Sequence, residues 1–179
     1  TINNANTTAA NNLNLSAGMV VTGVGNKTLT LGGVNTGSNT FGAINDGLGS
    51  VISLTKADAG TWTLTSTNTY SGPTTVTSGT LVVSSSANLG DGSATNNLVF
   101  NGGTLRTDGA FTSPSTRGVT MTAAGTINTN GNALTIGGII TGAGALTKTG
   151  AGELTLSNAN TFTGTTTVSG GKVVMTHAL

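Results

Sequence analysis

Short apolar runs alternate with small polar residues along most of the chain. In the segment 61–65, Trp62 and Leu64 fall on one side and three threonines on the other. An alternation of period two is typical of a β-strand with one buried face. Similar runs are Leu13–Leu15, Thr28–Leu31, Thr80–Val83, Leu98–Phe100, Val119–Met121, Leu134–Ile136 and Leu154–Leu156. Each run is only about 3–6 residues long and is followed by Gly, Asn or Asp, so the pattern predicts many short strands joined by tight turns.

The chain also contains an internal repeat. Residues 54–83 and 146–175 align without a gap at an offset of 92, with 15 identities in 30 positions. Upstream, Leu29–Val34 matches Leu134–Ile139 at an offset of 105. The difference between the offsets implies about 13 extra residues in the first copy, near Thr36–Ser50. Repetition of short strands at such a period is typical of solenoid proteins.

Two all-β architectures are compatible with this pattern. Asn-Gly and Asp-Gly pairs ordinarily favour hairpins, as in a sandwich. The evenly spaced short strands, and an interior of Val, Leu and Ile with only six aromatic residues in the whole chain, favour a parallel β-solenoid whose coils stack like residues on like. A coil of about 20 residues predicts 8–10 coils and a rod on the order of 40 Å long.

Composition removes several functional classes. Charged residues make up 6% of the chain, the formal net charge is +1 and there is no basic cluster, so the electrostatic footprint of a nucleic-acid-binding protein is missing. No apolar stretch approaches the ~18 residues of a membrane helix, so we expect no membrane insertion by this segment. Cysteine is absent, which is compatible with the cytosol and with export through an oxidising compartment.

Few residues could carry chemistry. The acidic residues are Asp46, Asp58, Asp91, Asp108 and Glu153. Asp91 and Asp108 would lie about one coil apart, with Arg106 and Arg117 in the same region, which is the one acid–base group the chain offers. We interpret the two aspartates as turn residues before Gly, and the two arginines as solvated surface charges. His177 is the single histidine and cannot form a zinc site without further ligands. We therefore predict no catalytic, cofactor-binding or metal-binding residue, no cofactor and no enzyme activity.

The segment 142–173, which reads GAGALTKTGAGELTLSNANTFTGTTTVSGGKV, resembles the passenger-associated strand repeat of bacterial autotransporters. The first copy departs from that pattern at Asp58 and Pro73, and the second at Lys172. The resemblance implies a right-handed parallel β-helix that is secreted or held at the outer-membrane surface. It also implies that residues 1–179 form a single β-solenoid segment of a longer passenger.

Within the repeat, every role we expect is structural. Glycine allows corners between faces, an asparagine amide satisfies backbone groups at a turn, and large apolar side chains fill the interior. The expected corner glycines are Gly60, Gly72 and Gly79, the turn asparagines are Asn68 and Asn160, the interior residues are Trp62 and Leu154, and the residues that cap the core are Tyr70 and Phe162.

Three functions remain open. The first is a stalk or adhesin segment that mediates attachment, cell aggregation or biofilm formation, with surface glycans or proteins as partners. The second is a structural element that stacks end to end with copies of itself through open strand edges. The third is a polysaccharide-cleaving β-helix, which would depend on Asp91 and Asp108.

Overall fold

The structure is a computed structural model that describes residues 1–8 and 11–177. These residues form nineteen short strands and one 3₁₀ helix, and every strand pairing is parallel, with partners from successive coils. The arrangement is a β-solenoid of three sheets, which confirms the predicted fold class. No helix of the described residues is long and apolar enough to cross a membrane.

Each sheet collects one strand from successive coils. Sheet A consists of β1 (Ile2–Asn4), β3 (Lys27–Gly33), β5 (Ile52–Lys56), β7 (Thr74–Val76), β9 (Leu98–Phe100), β12 (Val119–Met121) and β15 (Ile140–Gly142). Sheet B consists of β2 (Asn14–Leu15), β4 (Asn39–Phe41), β6 (Thr61–Leu64), β8 (Thr80–Val83), β10 (Thr104–Thr107), β13 (Gly125–Asn128), β16 (Leu146–Thr149) and β18 (Thr166–Val168). Sheet C consists of β11 (Phe111–Ser113), β14 (Leu134–Ile136), β17 (Glu153–Leu156) and β19 (Lys172–Met175).

Sheet C begins only at β11, so the third face of the rod has two parts. In the preceding coils, loops take the place of the strand, and one of them contains the 3₁₀ helix η1 (Ser86–Leu89). The third face therefore changes from irregular loops to a regular sheet between η1 and β11.

The strand period explains the core. In β6 the burial alternates, with Trp62 and Leu64 buried and the threonines between them partly exposed. The buried side chains of all three faces meet in one continuous apolar cluster. Trp62 and Leu154 are both fully buried in it, which confirms their predicted place. Tyr70 is also fully buried, and Phe162 packs against the same cluster while partly exposed.

The solenoid has about seven turns, as the seven strands of sheet A show, slightly fewer than expected because several coils are long. Ile2 of β1 pairs with Leu31 of β3, whereas Leu54 of β5 pairs with Thr74 of β7 after a much shorter stretch of chain. The pairs β3–β5 and β7–β9 are also more widely separated along the chain than β5–β7. These coils therefore use more residues than the uniform coil assumed from the sequence.

The extra residues that the sequence places in the first copy, near Thr36–Ser50, correspond to one additional face of the rod. From Leu29 in β3 to Leu54 in β5 the chain makes a complete turn and returns to sheet A. From Leu134 in β14 to Leu146 in β16 it makes less than a complete turn, because it passes from sheet C through sheet A to sheet B. The first span exceeds the second by the same length that the two alignment offsets imply, and that length corresponds to one face of the rod.

Candidate functional site

The repeat lysine forms a buried corner clip in both copies. Lys56 and Lys148, at equivalent positions, are each fully buried. The Nζ of Lys148 donates to the carbonyl oxygens of Thr149 at 2.7 Å, Gly150 at 2.9 Å and Gly170 at 3.1 Å. Two of these carbonyls belong to the lysine's own corner and the third to the corner of the next coil. An ammonium has three donors and no acceptor, so it satisfies three carbonyls that stacking has brought together.

Lys56 repeats this geometry with the equivalent atoms. Its Nζ donates to the carbonyl of Ala57, to that of Asp58 at 2.7 Å and to that of Ser78 at 3.1 Å. Burial lowers the pKa of Lys56 to about 8, and the nearby Asp58 carboxylate opposes this shift. Burial also lowers the pKa of Lys148, whose neighbour at the position of Asp58 is Gly150. The clips are structural, and the sequence analysis assigned neither lysine a role.

The repeat asparagine satisfies backbone groups between coils, as predicted. The Oδ1 of Asn68 accepts from the backbone N–H of Ile44 at 2.8 Å, and that of Asn160 accepts from the N–H of Ile140 at 2.8 Å. The Nδ2 of Asn68 reaches forward to the carbonyl of Asn88. Asn160 instead donates locally, to the carbonyl of Asn158 at 2.8 Å.

The repeat glycines serve two different purposes. Gly79 has a φ of 62° and therefore turns the chain as predicted. Gly60 and Gly72 do not need a left-handed backbone. A Cβ on Gly60 would lie 2.6 Å from the carbonyl oxygen of Asn35, and one on Gly72 would lie 2.5 Å from that of Ile52. At these positions glycine is required because the backbone of the preceding coil lies against it.

The structure divides the acid–base group considered from the sequence into two parts, with Asp108 beside Arg106 and Asp91 in the same groove as Arg117. Asp108 forms an ion pair with Arg106 at 2.7 Å and accepts from Asn130 Nδ2 at 2.9 Å. Arg106 holds the pKa of the Asp108 carboxyl below its usual range, mainly through their hydrogen bond. Asp91 lies in a different loop, where its Oδ1 accepts from the N–H of Ser93. The interpretation of both aspartates as turn residues is consistent with these contacts.

Arg117 is not a solvated surface charge, which corrects the interpretation drawn from the sequence. Its side chain is 2% exposed and its donors are distributed over the loop that contains η1. Nε donates to Asn96 Oδ1 at 3.0 Å, and Nη1 donates to Oγ of Ser86 at 2.9 Å. Nη2 donates to the carbonyls of Leu89 and Gly90. A loop without regular pairing leaves carbonyls unsatisfied, and the guanidinium fork supplies donors for them.

The other candidate groups remain separate from one another. Asp46 accepts from the N–H of Ile52 at 2.7 Å and from Oγ of Ser71 at 2.5 Å. Glu153 pairs with Lys172 at 2.6 Å on the surface. His177 is exposed near the last described residues. Within residues 1–8 and 11–177, no group of three or more His, Cys, Asp or Glu residues could hold a metal ion.

The change on the third face creates a groove of about 600 Å³. Three successive coils line it, and we name the middle one, residues 86–92, its floor and the outer two, residues 67–69 and 112–117, its walls. Its lining residues are Thr67, Asn68, Thr69, Ser86, Ala87, Gly90, Asp91, Gly92, Thr112, Pro114 and Arg117. The sequence analysis missed this groove because no local pattern signals that a strand on one face is replaced by a loop.

Along the strands of sheets B and C, threonine dominates the outward positions. The pairing register of sheet B aligns six threonines, Thr61, Thr80, Thr104, Thr126, Thr147 and Thr167, one from each successive rung. Sheet C aligns Thr112, Thr135 and Thr155 in the same way. β-branched threonine suits a strand, and its hydroxyl suits water. The faces therefore present hydroxyl groups with few charges.

Comparison with known proteins identifies the two copies. The model of the passenger-associated-transport-repeat family matches residues 54–83 and 146–175, which confirms the resemblance noted in the sequence. A segment of 80 residues, 44% of this chain, is 41% identical to the adhesin BmaC autotransporter of Brucella suis biovar 1 (strain 1330). That segment spans 2% of the adhesin's length. No solved structure matches the chain.

Proposed function

We propose that this chain, a β-solenoid with two passenger-associated-transport repeats, is an adhesin-type passenger segment that is displayed on the bacterial surface or secreted. The observation that carries the proposal is the occurrence of both repeats as stacked coils of a single rod. The name of its relative, an autotransporter adhesin, supports attachment as the role. Cell aggregation and biofilm formation are the forms of attachment that a charge-poor surface favours, because little repulsion separates two such rods.

We propose further that the segment is not catalytic. Asp108 is engaged by Arg106 and Asn130, and Arg117 is engaged by the loop around η1. Asp91 is engaged in its own turn, where its Oδ1 accepts from the N–H of Ser93. General acid–base cleavage of a glycosidic bond ordinarily needs two carboxyl groups that face each other, so the arrangement supports binding rather than cleavage.

Surface display tests the proposed attachment. The chain is fused to a membrane anchor on a non-adherent bacterium, and bound cells are counted on epithelial monolayers and on matrix-coated wells. We expect a severalfold increase over cells that carry the anchor alone. A control chain with Gly60→Asp and Gly152→Asp, whose coils cannot stack, should lose this increase. Equal binding by the native chain, the control chain and the bare anchor would contradict the proposal.

End-to-end stacking is the second candidate function. The strands β18 and β19 expose Val168 by 48% and Met175 by 49%, and β18 is exposed along its whole length. Within residues 11–177 these strands pair on one side only, and a strand edge with apolar side chains can add further strands. Light scattering over a wide concentration range distinguishes the two, because stacking predicts a mass that grows with concentration and a separate adhesin segment predicts a constant mass.

A further inference from the structure

The groove on the third face offers free polar groups on its floor and on both of its walls. Among the described residues, Oδ2 of Asp91 and the hydroxyls of Thr67 and Thr112 have no hydrogen-bond partner, and all three residues are exposed. On the floor, Asp91 lies between Gly90 and Gly92, and Ala87 lies earlier in the same loop. The backbones of the two walls are two coil spacings apart, about 10 Å, and the groove's volume of about 600 Å³ is large enough for a single sugar ring.

The electrostatics of the groove favour a neutral ligand. The donors of Arg117 are directed to Asn96, Ser86 and the carbonyls of residues 89 and 90, so its guanidinium has no free donor for an anion. Asp91 contributes one carboxylate, and the described residues hold no cluster of metal-binding groups around it. A lone carboxylate beside hydroxyls is a poor site for a divalent cation, which takes six or more oxygen ligands.

Hydroxyl-rich neutral molecules match this lining. A hydroxyl can both donate and accept, whereas an ionised carboxylate only accepts. Sugar hydroxyls could therefore donate to Asp91 and exchange hydrogen bonds with Thr67 and Thr112. A bond to the charged Asp91 would be stronger than one between neutral groups, so it should contribute the largest share of the binding energy.

A peptide strand fits the groove less well. The N–H of Phe111 donates to the carbonyl of Ala133, on the side of β14. In a strand of a parallel sheet, successive residues direct their backbone N–H and C=O groups to opposite sides. Thr112 is therefore the residue of β11 whose backbone faces the groove. Pro114 follows directly after the strand and has no N–H. A one-residue edge gives an added strand too few hydrogen bonds.

From these observations we propose that the groove lined by Thr67, Asp91 and Thr112 binds one ring of a neutral saccharide. The proposal rests on the proposed function, because it names the class of ligand through which the segment would attach. It also places the contact on one loop-lined part of the third face rather than along the threonine faces.

Titration of the isotope-labelled chain with cellotriose and with maltotriose, followed by NMR, tests the site. We expect the largest shifts at the amides of residues 67–69, 86–92 and 112–117 with at least one of the two sugars. Asp91→Asn and Thr112→Val together should weaken binding about tenfold or more, since the first removes the charge that strengthens the hydrogen bond to the sugar and the second removes a hydroxyl that no other group replaces.

Two matched substitutions control for general effects on the rod. Thr135→Val changes the next threonine of the same sheet C row, and Asp108→Asn changes an aspartate outside the groove. Both should leave the affinity for the trisaccharides within about twofold, because surface substitutions away from a site have small effects. Equal losses in the groove variants and the controls would overturn the proposed site.

The remaining outcomes separate this proposal from the proposed function. If neither sugar shifts the groove amides while displayed cells still adhere, the saccharide site is wrong and the adhesin proposal stands. If an extended peptide shifts Thr112 and the sugars do not, the groove binds peptides and the saccharide proposal is overturned. If the sugars bind but displayed cells do not adhere, the site stands and the proposed function fails.

Discussion

The two copies of the repeat are the same unit in two different positions. The first copy begins in sheet A and the second in sheet B, because they are separated by four complete turns and one additional face. In both copies the lysine is fully buried. The equivalent valines differ, since Val76 is fully buried whereas Val168 is 48% exposed.

The difference shows which contacts belong to the unit itself. Lysine clips, asparagine amides and closely packed glycines recur because they join a unit to its own corner and to adjacent coils, whichever face it occupies. Burial of the late strands depends on what stacks over them. Val83 is fully buried under further coils, whereas Met175, at the equivalent position, is 49% exposed. A repeat of this kind is therefore specified by stacking rather than by a particular face.

The largest expected effect comes from the interior residue. Trp62→Ala should reduce the free energy of unfolding by about 4 kcal/mol, and Leu154→Ala by about 3 kcal/mol, because both leave cavities in a packed core. Trp62 also loses the bond from Nε1–H to the carbonyl of Gly32. Urea denaturation followed by circular dichroism measures both values. A smaller loss for Trp62→Ala than for Leu154→Ala would contradict this comparison.

Substitution of the repeat lysine should cause the next largest loss in the free energy of unfolding. Lys56→Met leaves three carbonyls without their donor and should cost about 3 kcal/mol, by the penalty for buried groups that lose a charged partner. Lys148→Met should cost about 2 kcal/mol, because one of its carbonyls belongs to Gly170, which lies in a partly exposed segment of the described residues. Lys172→Met is the control, since that side chain is 67% exposed, and it should change the stability by less than about 0.5 kcal/mol.

Burial of the Lys56 ammonium should make the stability of the rod depend on pH. Its pKa is about 8 in the folded chain against an ordinary value of 10.5, so between these values the unfolded chain binds more protons and stability rises with pH. From pH 8 to 9.5 the native chain should gain about 2 kcal/mol more than Lys56→Met. Below about pH 7, where Lys56 is protonated in both the folded and the unfolded chain, the two proteins should change in parallel. Measurement stays below pH 10 because burial raises the pKa of Tyr70, which acts in the opposite direction. A gain that is equal in both proteins would exclude Lys56 as the cause.

Substitution of the repeat asparagines should lower the stability less than substitution of the repeat lysines does. Asn68→Ala removes a bond to the preceding coil and one to the next coil, and should cost about 2 kcal/mol. Asn160→Ala removes one bond between coils and one local bond, and should cost about 1 kcal/mol. Amide hydrogen exchange should show faster exchange at Ile44 and at Ile140, respectively. Unchanged exchange at these two amides would show that the side chains do not hold the corner.

The smallest effect is expected where the copies differ at a corner. Asp58 has a φ of 55° and Gly150 a φ of 76°, so both occupy a backbone region that glycine adopts without strain. Asp58→Gly should change the stability by less than about 1 kcal/mol, because relief of strain offsets the lost bond from Gly33 N–H to Oδ2. Thermal unfolding measures the balance, and a loss of several kcal/mol would show that the carboxylate is essential to the corner.

Much of the fold could be predicted because its signals are local. The alternation around Trp62 predicted strands, and the repeat together with its resemblance predicted a parallel solenoid of stacked coils. The role of Asn68 was also predictable, since a short amide at a turn has few other uses. The prediction that the chain is one segment of a longer passenger stays a prediction.

The roles that were predicted wrongly or missed belong to residues whose surroundings are set by contacts between distant parts of the chain. Arg117 was interpreted as solvated because nothing in its neighbours along the chain shows that an earlier loop, which contributes Ser86 and Asn96, surrounds it. Lys56 and Lys148 were passed over because lysine is ordinarily exposed. Only the stacking of corners places three carbonyls around each ammonium.

The sequence by itself determined the strand period, the turn at Gly79, the kinship of the two repeats and, through their resemblance to a known family, the solenoid class. These properties depend on residues that are neighbours along the chain or on a pattern that recurs at a constant offset. The tertiary structure alone decided which face each copy occupies, where sheet C begins, and that a groove opens beside β11. These three features depend on the number of residues in each coil. When one stretch of chain is longer by one face, every later strand lies on a different face of the rod.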